Sequence, residues 1–207
     1  MVSSFISGEG KSFVSINLAS ALSLTGAKVI VIELDLRKPK LSKRLDISSE
    51  IGLSNYVTND LGLFDIIQEV PGAEHINFIS SGPIPPNPAE MLMSDKTTAL
   101  LEALKEQYDY IIIDTAPIGL VTDALLLEKF TDMTLFIVRH QFTLKQILPY
   151  IDKLHHDAKF KNMSIVVNGI RKDGTYGYSF GLGNSYGYYV SGKKKNIFSN
   201  FFGFLQA

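Results

Sequence analysis

Val2-Ser3-Ser4-Phe5-Ile6-Ser7-Gly8-Glu9-Gly10-Lys11-Ser12, running into the apolar helical stretch Phe13 to Leu24, decides the fold class of this chain. Consecutive backbone N–H groups can curl around an anion where residues are small and a helix N-terminus stands behind them. A lysine then serves the outer phosphates and a hydroxyl serves Mg2+. Gly8, Gly10, Lys11 and Ser12 supply those parts, and the stretch Gly8, Glu9, Gly10, Lys11, Ser12, Phe13 is the expected nucleotide-binding segment. The pattern G-x-x-x-x-G-K-[ST] places its first glycine where this chain has Phe5. Alone, the loop also reads as a Gly-rich turn entering an ordinary helix, so the rest of the chain has to decide.

Composition sets wide bounds. With 207 residues, 45% of them hydrophobic, the chain can bury a substantial core and reads as one α/β domain with a tail. A formal net charge of -1 gives no overall pull towards nucleic acid. Zero Cys excludes disulfides, thiolate catalysis and Cys-ligated metals. No stretch approaches the ~20 apolar residues of a membrane span, so a soluble chain is expected. His75, His140, His155 and His156 lack metal-ligand spacing and read as structural or solvated. A phosphate loop normally follows a full buried strand, yet only Met1, Val2 and Ser3 precede the turn. The expectation is a domain truncated at its N-terminal edge, the C-terminal part of a longer polypeptide.

In chain order, Phe13, Ile16, Ala19 and Leu22 recur at helical spacing, with Gly26 at the expected helix end. Val29-Ile30-Val31-Ile32 is a β-branched run suited to a strand buried on both faces. It ends in Glu33-Leu34-Asp35, two carboxylates at i and i+2 at the sheet edge where open α/β folds bind ligands. Residues 40 to 60 carry little signal, Leu61 to Val70 reads as a short amphipathic helix, and His75 to Ser80 as a strand. Gly82-Pro83-Ile84-Pro85-Pro86-Asn87-Pro88 is an extended loop, with Asn87 the N-cap of a helix running to Gln107 and broken near Ser94-Asp95. Tyr108 to Ile113 is a strand ending in Asp114, the second metal-side element of a phosphate-loop site. Thr122 to Phe130 and Thr143 to Ala158 read as helices, Thr134 to Val138 and Met163 to Val167 as strands, the last ending at Asn168. The count predicts a doubly wound, mainly parallel sheet with helices on both faces.

Beyond residue 170 the periodicity stops. Tyr176, Tyr178, Tyr186, Tyr188 and Tyr189 are interleaved with Gly177, Gly181, Gly183 and Gly187, and residues 173–207 read as a flexible Gly/Tyr-rich tail following a domain of residues 1–172.

Gly8 to Ser12, the carboxylate pair before Arg37-Lys38-Pro39, the Gly82 to Leu92 stretch, the strand ending at Asp114 and the Tyr-rich tail together resemble the bacterial tyrosine kinases, the cytoplasmic domains of polysaccharide co-polymerases. The resemblance covers nearly the whole chain. It implies a P-loop fold unrelated to eukaryotic-type kinases, whose H-R-D and D-F-G motifs are absent. It implies a protein-tyrosine autokinase that uses ATP and Mg2+ to phosphorylate its own C-terminal tyrosines, largely between neighbours of a ring-like homo-oligomer. That cycle would regulate capsular or exopolysaccharide assembly and export at the cytoplasmic face of the membrane, with a membrane-spanning region fused upstream or separate and an opposing tyrosine phosphatase. Carried onto this chain, Lys11 holds the β- and γ-phosphates, Ser12 ligates Mg2+, Asp35 and Asp114 hold the metal partly through water, and Asn168 meets the adenine. Glu33 stands where the family usually has Asp, the candidate acceptor of the tyrosine proton. Tyr176, Tyr178, Tyr186, Tyr188 and Tyr189 are the implied phosphoacceptors.

The alternative is a positional switch of the chromosome-partitioning and division-site ATPase type. Those proteins carry a further Lys five residues before the loop Lys, where this chain has Ile6, and the Tyr-rich tail has no place in them.

Overall fold

The computed structural model describes residues 1–59 and 61–170. The chain divides into two units, Met1–Asn168 and Gly169–Ala207, and the tyrosines from Tyr176 to Tyr189 lie outside the described residues. In the first unit the elements run β1 (Val2–Ser4), α1 (Lys11–Ser23), β2 (Val29–Leu34), α2 (Leu41–Arg44), α3 (Leu53–Thr58), β3 (Gln68–Glu69), β4 (Ile76–Ile79), α4 (Pro88–Met93), α5 (Asp95–Lys105), β5 (Tyr110–Thr115), α6 (Asp123–Leu126), β6 (Thr134–Arg139), α7 (Leu148–His156) and β7 (Met163–Asn168). The sheet order is β3-β4-β2-β5-β1-β6-β7. β3 lies antiparallel to β4, and every other pairing is parallel. This is the mainly parallel, doubly wound α/β sheet that the alternation of β-branched runs and helical stretches predicts.

Alternation along the strands sorts the layers. Ile30, Ile32, Leu34, Ile79 and Ile113 form one core with Leu100, Leu101 and Leu104 of α5 and with Leu53 of α3. Asp114 points to the other face, where Ser12 and Ser15 of α1 reach it. A second core joins Phe136 and Val138 of β6 to Ile151 and Leu154 of α7. Helices therefore cover both faces, as parallel strands require.

Three elements differ from the sequence reading. β2 continues through Glu33 and Leu34 because they pair with Asp114 and Thr115 of β5, so a charged residue sits inside the sheet. Leu61 to Val70 is not a helix: it forms a 3-10 turn at Leu63–Asp65 and then β3. The helix expected from Thr143 begins at Leu148, after a 3-10 turn at Lys145–Ile147, with Pro149 in its first turn. The break expected near Ser94 is present. Ser94 is extended (φ -66°, ψ 153°), and its hydroxyl caps α5 by accepting from Thr97 N at 3.2 Å.

Candidate functional site

β1 releases the chain at the C-terminal edge of the sheet into the loop Phe5–Gly10, which turns directly into α1. Gly8 (φ +94°) and Gly10 (φ +102°) both take left-handed backbone, where a side chain is strained. The space is closed as well. A Cβ on Gly10 would stand 2.0 Å from Asn168 Nδ2, and one on Gly8 would stand 3.1 Å from the Phe142 ring. The first turn of α1 contains no acidic side chain, so its orphan N–H groups and positive dipole end remain available to an anion. Gly10→Ala is expected to destabilise the protein by about 1–3 kcal/mol and to weaken nucleotide binding at least about tenfold. Thermal unfolding together with ATP titration checks both.

The loop is braced from two neighbouring strands. Buried Glu9 accepts hydrogen bonds from Ile6 N at 2.8 Å and from the Thr143 hydroxyl. Asn168 Nδ2 donates to Glu9 O and Arg139 Nη1 to Gly8 O, each at 2.9 Å. The Arg139 guanidinium lies 5.2 Å from the centre of the Phe142 ring. Asn168, at the end of β7, thus stands against the loop through Glu9 O. Phe13, half-exposed, occupies the first turn of α1.

Lys11, Ser12, Asp35 and Asp114 converge here. Ser12 Oγ donates to Asp114 Oδ2 at 2.7 Å and Ser15 Oγ to Asp114 Oδ1 at 3.2 Å. Burial raises the Asp114 carboxyl to about 6, against the pull of the Ser12 hydrogen bond and the Lys11 charge, while Glu33 pushes it further up. Burial lowers the Lys11 ammonium, opposed by Asp114, Asp35 and Glu9 and reinforced by Lys40. Burial also raises Asp35, whose Oδ1 accepts from Lys38 N at 3.1 Å. A lysine and two carboxylates all driven towards neutrality form a site that a ligand of the complementary charges would complete.

Glu33, two residues before Asp35, lies deeper in the sheet. It is fully buried, and its Oε1 accepts from three successive backbone groups, Lys40 N at 2.7 Å, Leu41 N and Ser42 N at 3.4 Å. Arg37 binds Asp123 with two hydrogen bonds, Nε to Oδ2 at 2.8 Å and Nη2 to Oδ1 at 3.2 Å. This ties the segment after β2 to α6. Asp123 is buried, but the Arg37 side chain is 41% exposed and water screens the pair. Arg37→Ala leaves the carboxylate buried without its cation and is expected to cost about 1–2 kcal/mol, less than for a fully buried pair. Chemical denaturation of the two proteins measures the difference.

Among the described residues no group of three or more His, Cys, Asp or Glu is placed to hold a metal. The donor set here, one hydroxyl with Asp35 and Asp114 beside a phosphate cradle, instead fits Mg2+, which binds through one or two carboxylates plus phosphate and water oxygens. The places of Ser15, Thr143, Arg139, Phe142 and the Arg37–Asp123 pair in this site come from the fold and not from any sequence motif. Position alone gives a signal for some of them. Arg139 closes β6, the strand beside β1, at the edge where such folds place ligands.

Comparison with known proteins adds the family. A model of the AAA domain matches residues 2–165. Tyrosine-protein kinase YwqD of Bacillus subtilis is 32% identical over 180 residues, 86% of this chain and 76% of that protein. A Klebsiella pneumoniae protein named for a tyrosine-protein kinase in the cps region is 37% identical over 86% of this chain, which spans only 24% of that protein's length. The kinase domain of Escherichia coli tyrosine kinase ETK superposes with a TM-score of 0.76 at 31% identity, covering 87% of this chain and 71% of that one.

Proposed function

We infer the function from one premise: the chain belongs to the AAA domain family and, within it, to the bacterial tyrosine-protein kinases. We propose that it transfers the γ-phosphoryl group of Mg-ATP to tyrosine hydroxyls, with Tyr176, Tyr178, Tyr186, Tyr188 and Tyr189 as its own acceptors. In this reading residues 1–172 form the kinase domain and residues 173–207 the acceptor segment. The observation that supports it best is the convergence of buried Lys11 and Asp114 with half-buried Ser12 and Asp35 on a left-handed glycine loop at the C-terminal ends of β1, β2 and β5.

Phosphoryl transfer asks little covalent chemistry of the protein, so position and charge carry the rate. Lys11 draws charge from the β- and γ-phosphates, and the N–H groups from Gly8 to Phe13 hold the remaining oxygens. Ser12, Asp35 and Asp114 would hold Mg2+. When bound, it would neutralise charge on the phosphate oxygens. Asn168 meets the adenine. A ring-like homo-oligomer presents each tail to a neighbour's site at the cytoplasmic face of the inner or plasma membrane. There it acts with the membrane-spanning region of a polysaccharide co-polymerase, fused upstream or separate, and a tyrosine phosphatase reverses the modification. The cycle regulates capsular or exopolysaccharide assembly and export, without nucleic acid. Among the described residues no helix is long and apolar enough to cross a membrane.

Replacing the five tyrosines together (Tyr176→Phe, Tyr178→Phe, Tyr186→Phe, Tyr188→Phe, Tyr189→Phe) is expected to remove nearly all phosphotyrosine while ATP affinity stays within about twofold, because none of the residues assigned to the nucleotide is changed. Undiminished phosphotyrosine in that variant would place the acceptors elsewhere.

A further inference from the structure

A buried carboxylate with no positive partner normally carries a large cost unless hydrogen bonds compensate it. Glu33 meets that need on one oxygen only. Its Oε1 collects the N–H groups of Lys40, Leu41 and Ser42, the opening of the short helix α2, while Oε2 is buried with no hydrogen-bond partner. The chain between Glu33 and these amides therefore closes into a loop. That loop carries Asp35, whose own Oδ1 is held by Lys38 N, and Arg37, which is held by Asp123. Its last residue, Lys40, lies near enough to act electrostatically on Lys11. Glu33 thus lies at the root of every side chain that this segment offers to the phosphate site.

We propose that Glu33 is a positioning residue and not the acceptor of the tyrosine proton. Its carboxylate closes the 35–40 segment, and so fixes Asp35 and Lys40 beside Lys11. Glu33 is fully buried and one of its oxygens is occupied by three backbone N–H groups, so the carboxylate offers no exposed surface to an incoming tyrosine hydroxyl. The proposal rests on the kinase reading only in its kinetic consequence; the loop closure itself stands without it.

Two substitutions separate the roles, because they exchange length for charge. Glu33→Gln keeps the side-chain length and an acceptor oxygen for the three amides, and it puts an NH2 group where Oε2 has no hydrogen bond to lose. Glu33→Asp keeps the carboxylate but is one methylene shorter. A proton acceptor would tolerate Asp and fail as Gln; a loop anchor ranks them the other way. Hydrogen exchange on a peptide covering residues 36–45, followed by mass spectrometry, is expected to show protection of the Lys40 and Leu41 amides kept in Glu33→Gln and lost, by at least about tenfold in rate, in Glu33→Asp and Glu33→Ala. Equal protection in all variants would overturn the proposal, whether or not the chain phosphorylates tyrosine. In the phosphorylation assay Glu33→Gln is expected to keep kcat within about threefold, with an unchanged pH profile and Mg2+ dependence, and to exceed Glu33→Asp. Loss of about a hundredfold or more in Glu33→Gln, with activity retained in Glu33→Asp, would make Glu33 the base and refute positioning.

Discussion

Lys11→Met is expected to lower phosphoryl transfer by about 10³-fold or more, because it removes a preorganised cation from the charge that develops on the transferred group. The fold should survive the change. Lys11 is buried, and burial already opposes its charge, so an unbranched apolar side chain of similar length relieves one desolvation cost while it withdraws a counter-charge from Asp114 and Asp35. Those two carboxyls, both already raised, then take up protons more readily instead of unfolding the site. The net stability change is expected to stay within about 1–2 kcal/mol. Initial rates of tyrosine phosphorylation beside thermal unfolding curves measure the two effects, and a variant that melts far below the wild type would show that Lys11 is needed for folding.

Asp114→Asn is expected to have the opposite pair of effects, a more stable protein and a disabled one. The Asp114 carboxyl stands at about 6 in the fold against 3.8 for the free group. Folded protein therefore binds this proton more tightly than the unfolded chain. The stability the proton lends is complete below about pH 3.8 and is lost as pH rises to about 6; above that the loss is constant and amounts to up to about 3 kcal/mol. Asp35, raised as well, adds in the same direction. In Asp114→Asn this cost is absent, and the Ser12 and Ser15 hydroxyls keep a polar partner. The metal-free variant should thus gain stability relative to wild type between pH 4 and 6 and hold the gain at pH 7. Mg-ATP should stabilise wild type strongly and the variant little. In wild type, affinity for Mg2+ should fall about tenfold per pH unit below pH 6, because binding must displace the proton. Denaturation midpoints across pH, with and without Mg-ATP, contain all of these results. Identical pH dependence in the two proteins would contradict the assignment of the raised group.

Most of the fold is legible in local pattern. Val29 to Ile32, Ile111 to Ile113 and Phe136 to Val138 announce buried parallel strands, and Gly8, Gly10, Lys11 and Ser12 mark the phosphate loop and the start of α1. The reading goes wrong where a side chain answers to a distant partner. Glu33 marks a strand end by its charge, yet pairing with Asp114 and three amides from residues 40–42 keep it inside the sheet. Thr143 looks like a helix start. Its hydroxyl instead donates to Glu9 and accepts from Arg139 N at 2.8 Å, and regular helix begins only at Leu148, where Pro149 fixes the first turn. Leu61 to Val70 has helical spacing over too short a window to exclude a turn and an edge strand, and antiparallel pairing of Gln68 and Glu69 with β4 settles the matter.

The candidate site divides along the same line. Lys11, Ser12, Asp35 and Asp114 belong to short motifs whose spacing implies chemistry, and the fold brings these four together. Ser15 lies one helical turn beyond Lys11, and only the approach of Asp114 across 99 residues gives its hydroxyl a role. Arg37 and Asp123 are 86 residues apart and carry no shared local signal.

Whether this site phosphorylates the chain's own tyrosines is tested most directly by mass spectrometry of peptides spanning Tyr176 to Tyr189, after incubation of the wild-type chain and Lys11→Met with Mg-ATP. Phosphate on these tyrosines in the wild type, and none in Lys11→Met, is the predicted result. ATP turned over by the wild type with no phosphotyrosine in these peptides would contradict it, and would leave a nucleotide-driven switch in place of a kinase.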